Sequence, residues 1–176
     1  MEPDLRYPIG QFERTADPTV EMRRQWLEVM AAAPAHLGTA VAGLAQEQLD
    51  TAHRPGGWTI RQTVHHLADS HMNSFVRCKL ALTEENPSVT SFKGSLWAEL
   101  SDAKSGSIEP SIVLFDGLQR RWVLLLRSLA PADWERKFVH PQLGPMTLTD
   151  LLALYEWHCR HHVAQILAAR ERYSWK

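Results

Sequence analysis

Residues 147–167 read TLTDLLALYEWHCRHHVAQIL. Thr147 and Asp150 have the spacing of a capping box, in which each side chain satisfies a free backbone amide at the start of a helix. At about 100° per residue, Leu148, Leu151, Leu152, Tyr155, Val163 and Ile166 fall on one face. The stretch therefore predicts a long amphipathic helix, running to about Tyr173, that buries one side against other helices. His158 and His162 lie within that apolar stripe, one turn apart, while His161 sits at its edge and Trp157 and Arg160 turn away.

Working outward, the same periodicity recurs. Residues 19–49 carry Val20, Trp26, Leu27, Met30, Leu37, Val41 and Leu44 near helical spacing, with Pro34 expected to kink or divide the helix. HRPGG at 53–57 breaks the pattern, and Thr59 with Gln62 forms a second capping box opening a helix to about Thr83. Residues 88–108 read as loop with a short helix around Leu96–Asp102. A third long helix fits Pro110–Leu129, with proline tolerated in its first turn. FVHPQLGPM at 138–146 reads as a small hairpin or turn. The first 18 residues hold Pro3, Pro8, Gly10 and Pro18 and are expected to form an extended arm packed on the rest. Four long amphipathic segments with few strand signals imply an all-α bundle, a single domain over 1–176, with a loop between its second and third long helices long enough for a crossover.

Composition narrows the function classes. Net charge is −1 with the histidines neutral and charged residues make up 22%, so nothing favours nucleic acid or an anionic membrane. No apolar run approaches the roughly 18 residues of a membrane span. The N-terminal MEPDLRYPIGQFE places acids where a signal peptide has bases, so a cytoplasmic address is expected. Cys78 and Cys159 are expected to be free thiols in a reducing compartment, not a disulfide framework. The seven tryptophans are spread along the chain and predict a large aromatic core.

His158 and His162 raise the question of a metal. A buried imidazole nitrogen without a partner costs about 1–3 kcal/mol, and an HxxxH pair is a common way for one helix to offer two nitrogen ligands. Alone, the pair is a weak motif; a third ligand must come from elsewhere. HHLADSH in the second long helix offers His65, His66, Asp69 and His71. Periodicity places His71 centrally on the apolar stripe of Ile60, Val64, Leu67, Phe75 and Cys78, and His66 well off it, so spacing alone favours His71.

RYPIGQFE at 6–13, GGWTIRQTVHHLADSHMNSFVRCKLALTEENP at 56–87, FVHP at 138–141 and LYEWHCRHHVAQI at 154–166 together resemble, in that order, the DinB/YfiT-like superfamily, and within it the YfiT subgroup of metal-dependent hydrolases. The resemblance covers nearly the whole chain. It implies a DinB-like four-helix bundle, a homodimer, and one divalent metal ion per chain, zinc or nickel, held by three histidines. Carried over by position, the ligands are His66, His158 and His162, which sets His66 in place of His71.

Three neutral imidazoles leave a divalent ion its full charge and open coordination positions, the arrangement of catalytic sites. Such an ion acidifies water or stabilises a thiolate. The expected activity is hydrolysis of an amide or ester in a small-molecule substrate. Relatives within the superfamily imply an alternative, a thiol S-transferase using bacillithiol or mycothiol, and a third reading is a non-catalytic metal-binding stress protein. Asp69, three residues from His66, is a candidate to orient a ligand or act as general base. Gln165 could line the pocket. His65 and His161 are expected to be supporting, exposed or dimer-contact groups, and His140 structural. Cys159 points about 100° from His158 and is not expected to ligate. Arg61, Arg77, Arg120 and Arg121 are available for an acidic substrate.

Overall fold

A computed structural model describes residues 4–175; the first three residues of the expected arm, and Lys176, lie outside them. Four long helices dominate: α1 (Val20–Val41), α3 (Ile60–Thr83), α6 (Glu109–Arg127) and α7 (Leu148–Arg172). Short helices α2 (Gln46–Leu49), α4 (Gly94–Trp97) and α5 (Ser101–Ser105) lie in the connections, with a 3-10 turn at Pro131–Glu135 and a hairpin of β1 (Lys137–His140) and β2 (Gly144–Thr147).

The helices form where their capping chemistry starts them. Thr59 Oγ accepts from the Gln62 amide at 3.1 Å while Gln62 Oε1 accepts from the Thr59 amide at 3.0 Å. Thr147 and Asp150 repeat the exchange at 3.0 and 2.9 Å. This second box also fixes where β2 ends, because Thr147 is the last strand residue and the cap at once. Replacing Thr147 by alanine should cost about 1 kcal/mol, read as a lower urea midpoint with unchanged slope; an unchanged midpoint would mean that the β2 pairing alone sets the start of α7.

The division of the first helical segment falls at Gly43, not Pro34. Pro34 sits inside an uninterrupted α1, buried, where it forfeits one backbone bond to the preceding turn. Gly43 adopts φ +74°, in the left-handed region that a side chain disfavours. At the end of α1 the loose carbonyls of Ala40 and Ala42 are taken by Arg170 Nη1 at 3.0 and 2.8 Å, so α7 itself helps stop α1.

The short helix expected at Leu96–Asp102 is instead two, α4 and α5, separated by an extended Leu100. The Ala98 carbonyl, which a continuous helix would pair with Asp102, accepts from Gln62 Nε2 at 2.7 Å. One glutamine thus caps α3 with its oxygen and ties down the following connection with its nitrogen.

Packing gives the topology. α1 packs on α6 and α7, and α3 packs on the same two helices, so α1 and α3 stand diagonally, as do α6 and α7. One core layer gathers Met30 with Cys78, Trp122, Leu126, Leu148 and Leu152; the other gathers Leu37, Val41, Val64, Phe115 and Ile166. The start of α1 and α7 and the end of α3 and α6 therefore share one end of the bundle. α1 and α7 run one way, α3 and α6 the other, and residues 84–108 carry the chain back along the length of α3. This return segment is bonded to β1 through Val139, whose carbonyl accepts from the Val89 amide at 3.2 Å and whose amide donates to the Pro87 carbonyl at 2.9 Å.

The arm lies along α7. Trp157 Nε1 donates to the Gly10 carbonyl at 3.3 Å, Gln165 Nε2 to the Arg6 carbonyl at 3.0 Å, and Arg14 pairs with Asp150 at 3.3 Å. No described helix is long and apolar enough to cross a membrane.

Candidate metal centre

α3 and α7 cross where His66, His158 and His162 meet. Their ligand-capable nitrogens all lie within 4.8 Å of one another. His158 Nε2 is 3.2 Å from His66 Nε2 and 3.2 Å from His162 Nε2. Two nitrogens bound about 2.0–2.1 Å from one tetrahedral ion stand about 3.3 Å apart, so both spacings fit a shared cation.

The far sides of two rings are held by protein. His162 Nδ1 donates to Gln165 Oε1 at 2.8 Å, which leaves the Nε2 lone pair facing the cluster. His158 Nδ1 lies 3.3 Å from His71 Nε2. With that proton directed at His71, His158 also turns a lone pair inward, and three convergent nitrogens then exceed the donors available to satisfy them. A divalent cation meets that need; the residues fit a metal.

Charge supports the same conclusion. Burial holds His66 down at about 4 and His71 at about 3, and burial with neighbouring imidazoles keeps His158 and His162 well below the usual range. All four are neutral at pH 7, the form that binds metal.

His66 is enclosed by groups that the sequence pattern did not single out. Its ring lies 4.6 Å from Trp58 and 5.8 Å from Phe92, centroid to centroid. Gly94 approaches so closely that a Cβ there would stand 3.1 Å from His66 Cε1. The only local signals were the glycine in an otherwise mixed segment and the tryptophan just ahead of a capping box. His71 is fully buried among Phe115, Trp122 and Tyr155, behind the cluster instead of in it. Its central place on the helix stripe is a core position.

The remaining candidates separate cleanly. Asp69 makes no hydrogen bond to any of the three rings; burial and Asp102 raise its carboxyl above the ordinary range. His65 bonds Ser111 Oγ at 2.7 Å and joins α3 to α6. His161 is buried, stacked 4.4 Å from Trp157, and accepts from Gln165 Nε2 at 3.0 Å. His140 Nδ1 accepts from the Gln142 and Leu143 amides in the hairpin turn. Both cysteines are buried and free, and Cys159 Sγ faces Gln119 and His71. Arg61 is buried and bonded to Asp50, Gly106 and Gln46. Arg77, also buried, holds the Thr90 carbonyl, so these two arginines serve the fold, whereas Arg120 pairs with Asp116 on the surface and exposed Arg121 lies over Phe75.

Comparisons with known proteins identify the family and the fold. The DinB superfamily model matches residues 30–166. This chain belongs to the DinB superfamily. Among its relatives in that superfamily is a protein of Bacillus mycoides (strain KBAB4), named "putative metal-dependent hydrolase", 49% identical over 172 residues that cover 98% of this chain and 99% of the relative. A Bacillus cereus (strain B4264) protein of the same name has the same identity and coverage. The solved structure of YfiT from Bacillus subtilis, described as a probable metal-dependent hydrolase with an unusual four-helix bundle topology, superposes with a TM-score of 0.95 at 43% identity, covering 98% of this chain and 99% of that one.

Among the described residues, Gln165 is the one polar group bonded to a cluster ring from outside the histidines. Gln165→Leu should weaken zinc binding about 10–100-fold, measured by competition with a chromogenic chelator. Unchanged affinity would show that His162 holds its orientation by packing alone.

Proposed function

We propose that this protein is a metal-dependent hydrolase that holds one divalent ion, zinc or nickel, on His66, His158 and His162. The observation that carries the proposal is the convergence of three neutral imidazole nitrogens, two of them fixed from behind by Gln165 and His71. An ion held there supplies Lewis acidity, acidifying water towards a pKa of about 7 or polarising a carbonyl. The names of the Bacillus relatives support the same reading.

The chain's own residues do the rest. Gln165 and His71 orient the ligand rings, and a ligand ring fixed by a hydrogen bond on its far nitrogen is a better and more selective donor. Trp58 and Phe92 flank His66 and keep water from its faces. His66 and His158 remain partly exposed, which leaves an approach for a small-molecule substrate.

The test uses the purified full chain. Elemental analysis should find about one divalent ion per chain, and an ester and amide panel should show turnover that a chelator abolishes. A chain that takes up no metal overturns the site. A metal-loaded chain that hydrolyses nothing, yet conjugates monochlorobimane only when bacillithiol, mycothiol or glutathione is added, replaces the hydrolase with a thiol S-transferase. Metal without either activity leaves a metal-binding protein.

A further inference from the structure

The HRPGGW turn at 53–58 borders a second feature. Between this turn, the arm at Arg6 and Tyr7, and α7 lies a cavity of about 250 Å³. His162 belongs to both the cavity and the histidine cluster. Trp58 forms their common wall, its ring 4.6 Å from His66 and 6.4 Å from His162.

We propose that this cavity receives an anionic end group, a carboxylate or a phosphate, of the molecule whose reacting bond lies at the histidines, with Arg54 as its counter-ion. The proposal rests on the histidine cluster being the reaction centre.

Two guanidinium groups line the cavity and no acidic side chain does. Arg6 is already paired with Asp4, through Nε to Oδ1 at 3.0 Å and Nη2 to Oδ2 at 2.9 Å. Arg54 has no carboxylate partner among the described residues. Its Nη1 donates to the Pro55 carbonyl at 3.1 Å, and its Nε is buried with no acceptor. The side chain is not free to swing out at no cost, because it folds back over Gly57. A Cβ at that position would lie 2.7 Å from Arg54 Cγ and 3.0 Å from His53 Cε1. The bare backbone of Gly57 thus sets Arg54 against the turn.

The neighbouring rings carry matching unmet needs. His161 Nε2 accepts from Gln165, so its proton sits on Nδ1, which is buried without an acceptor. His53 Nδ1 donates to the Trp58 carbonyl at 2.9 Å, leaving Nε2 buried without a donor. The walls therefore hold two unanswered N–H donors, one of them charged, and one unanswered acceptor. An oxyanion in the cavity answers the Arg54 guanidinium that lines it, and charge-assisted bonds to a guanidinium are the stronger kind. A neutral end group would leave Arg54 with only the longer-range attraction of Asp4, whose carboxylate is already bonded to Arg6. The volume is below the range of about 300–1,000 Å³ typical of whole drug-sized ligands, so it suits an end group.

The test is calorimetric titration of the zinc-loaded full chain with N-acetylglycine, its neutral counterpart N-acetylglycinamide, and inorganic phosphate, repeated on chelator-treated protein. The acid should bind at least about tenfold more tightly than the amide, the worth of one charged hydrogen bond. That preference should persist without metal, disappear in R54Q and survive in part in R54K, with zinc content unchanged in both variants. Whichever of acid and phosphate binds more tightly names the end group. Equal binding of acid and amide, or none, overturns the proposal. So does an acid preference that vanishes with the metal and ignores R54Q, since the ion would then be the counter-charge. A chain that takes up no zinc but keeps the Arg54-dependent preference retains the pocket and removes the hydrolase reading. If R54Q fails to fold by circular dichroism, wild type against R54K carries the comparison.

Discussion

His158→Ala is expected to empty the metal centre. His158 is the ring that touches both others, at 3.2 Å on each side, so its removal leaves His66 and His162 without the nitrogen that bridges them. Two imidazoles on different helices hold a divalent ion far less firmly than three, since each lost ligand also frees the others to move. Metal content by elemental analysis should fall from about one per chain to near zero. His65→Ala and His161→Ala should retain it, because His65 bonds Ser111 and His161 bonds Gln165 outside the cluster. His71→Ala should lie between: the metal stays, with affinity reduced about 10–100-fold through loss of the group behind His158. Full retention in His158→Ala, or complete loss in His65→Ala, would move the site elsewhere.

The second large effect concerns the fold. Trp122 on α6 is wholly buried, with ring centroids 5.4 Å from Tyr155, 5.9 Å from His71 and 6.2 Å from Phe75. It therefore joins α6 to both α7 and α3. Trp122→Ala should cost about 3–5 kcal/mol, from lost burial and the cavity left behind. Against a total stability of about 5–15 kcal/mol that is a large share. The midpoint of thermal unfolding should drop by roughly 6–20 °C. Leu124, two residues on but 73% exposed, is the control: Leu124→Ala should change stability by no more than about 0.5 kcal/mol. Similar losses in the two variants would mean that α6 packs differently in solution.

The sequence was most informative where local chemistry decides structure. The two Thr-led capping boxes announce α3 and α7 because the partners lie three residues apart. The helix wheel brings His158 and His162 to one face for the same local reason. Pro34 does not divide the helix, because a missing amide is a local signal whereas its tolerance depends on the helices packed around it. The break at Gly43 depends on Arg170, 127 positions away, capping the exposed carbonyls. His66 was illegible by periodicity because its surroundings come from the return segment. Phe92 and Gly94 reach it only once residues 84–108 have folded back along α3. Asp69 looked eligible as an orienting group through its spacing from His66, yet it bonds none of the three rings, and Asp102 of the return segment is among the charges that act on it.

The order of helices around the bundle also bears on how the chain reaches this state. α1 has no packing partner among the long helices until α6 and α7 have been formed. The only neighbours joined directly, α3 and α6, run parallel and need the whole return segment between them. No helical hairpin is available as an early, self-sufficient unit. Closing such long loops must precede most of the contacts that reward it. Folding should accordingly be slower than in an up-down-up-down bundle of equal length, and the metal centre, split between α3 and α7, should be among the last parts to form.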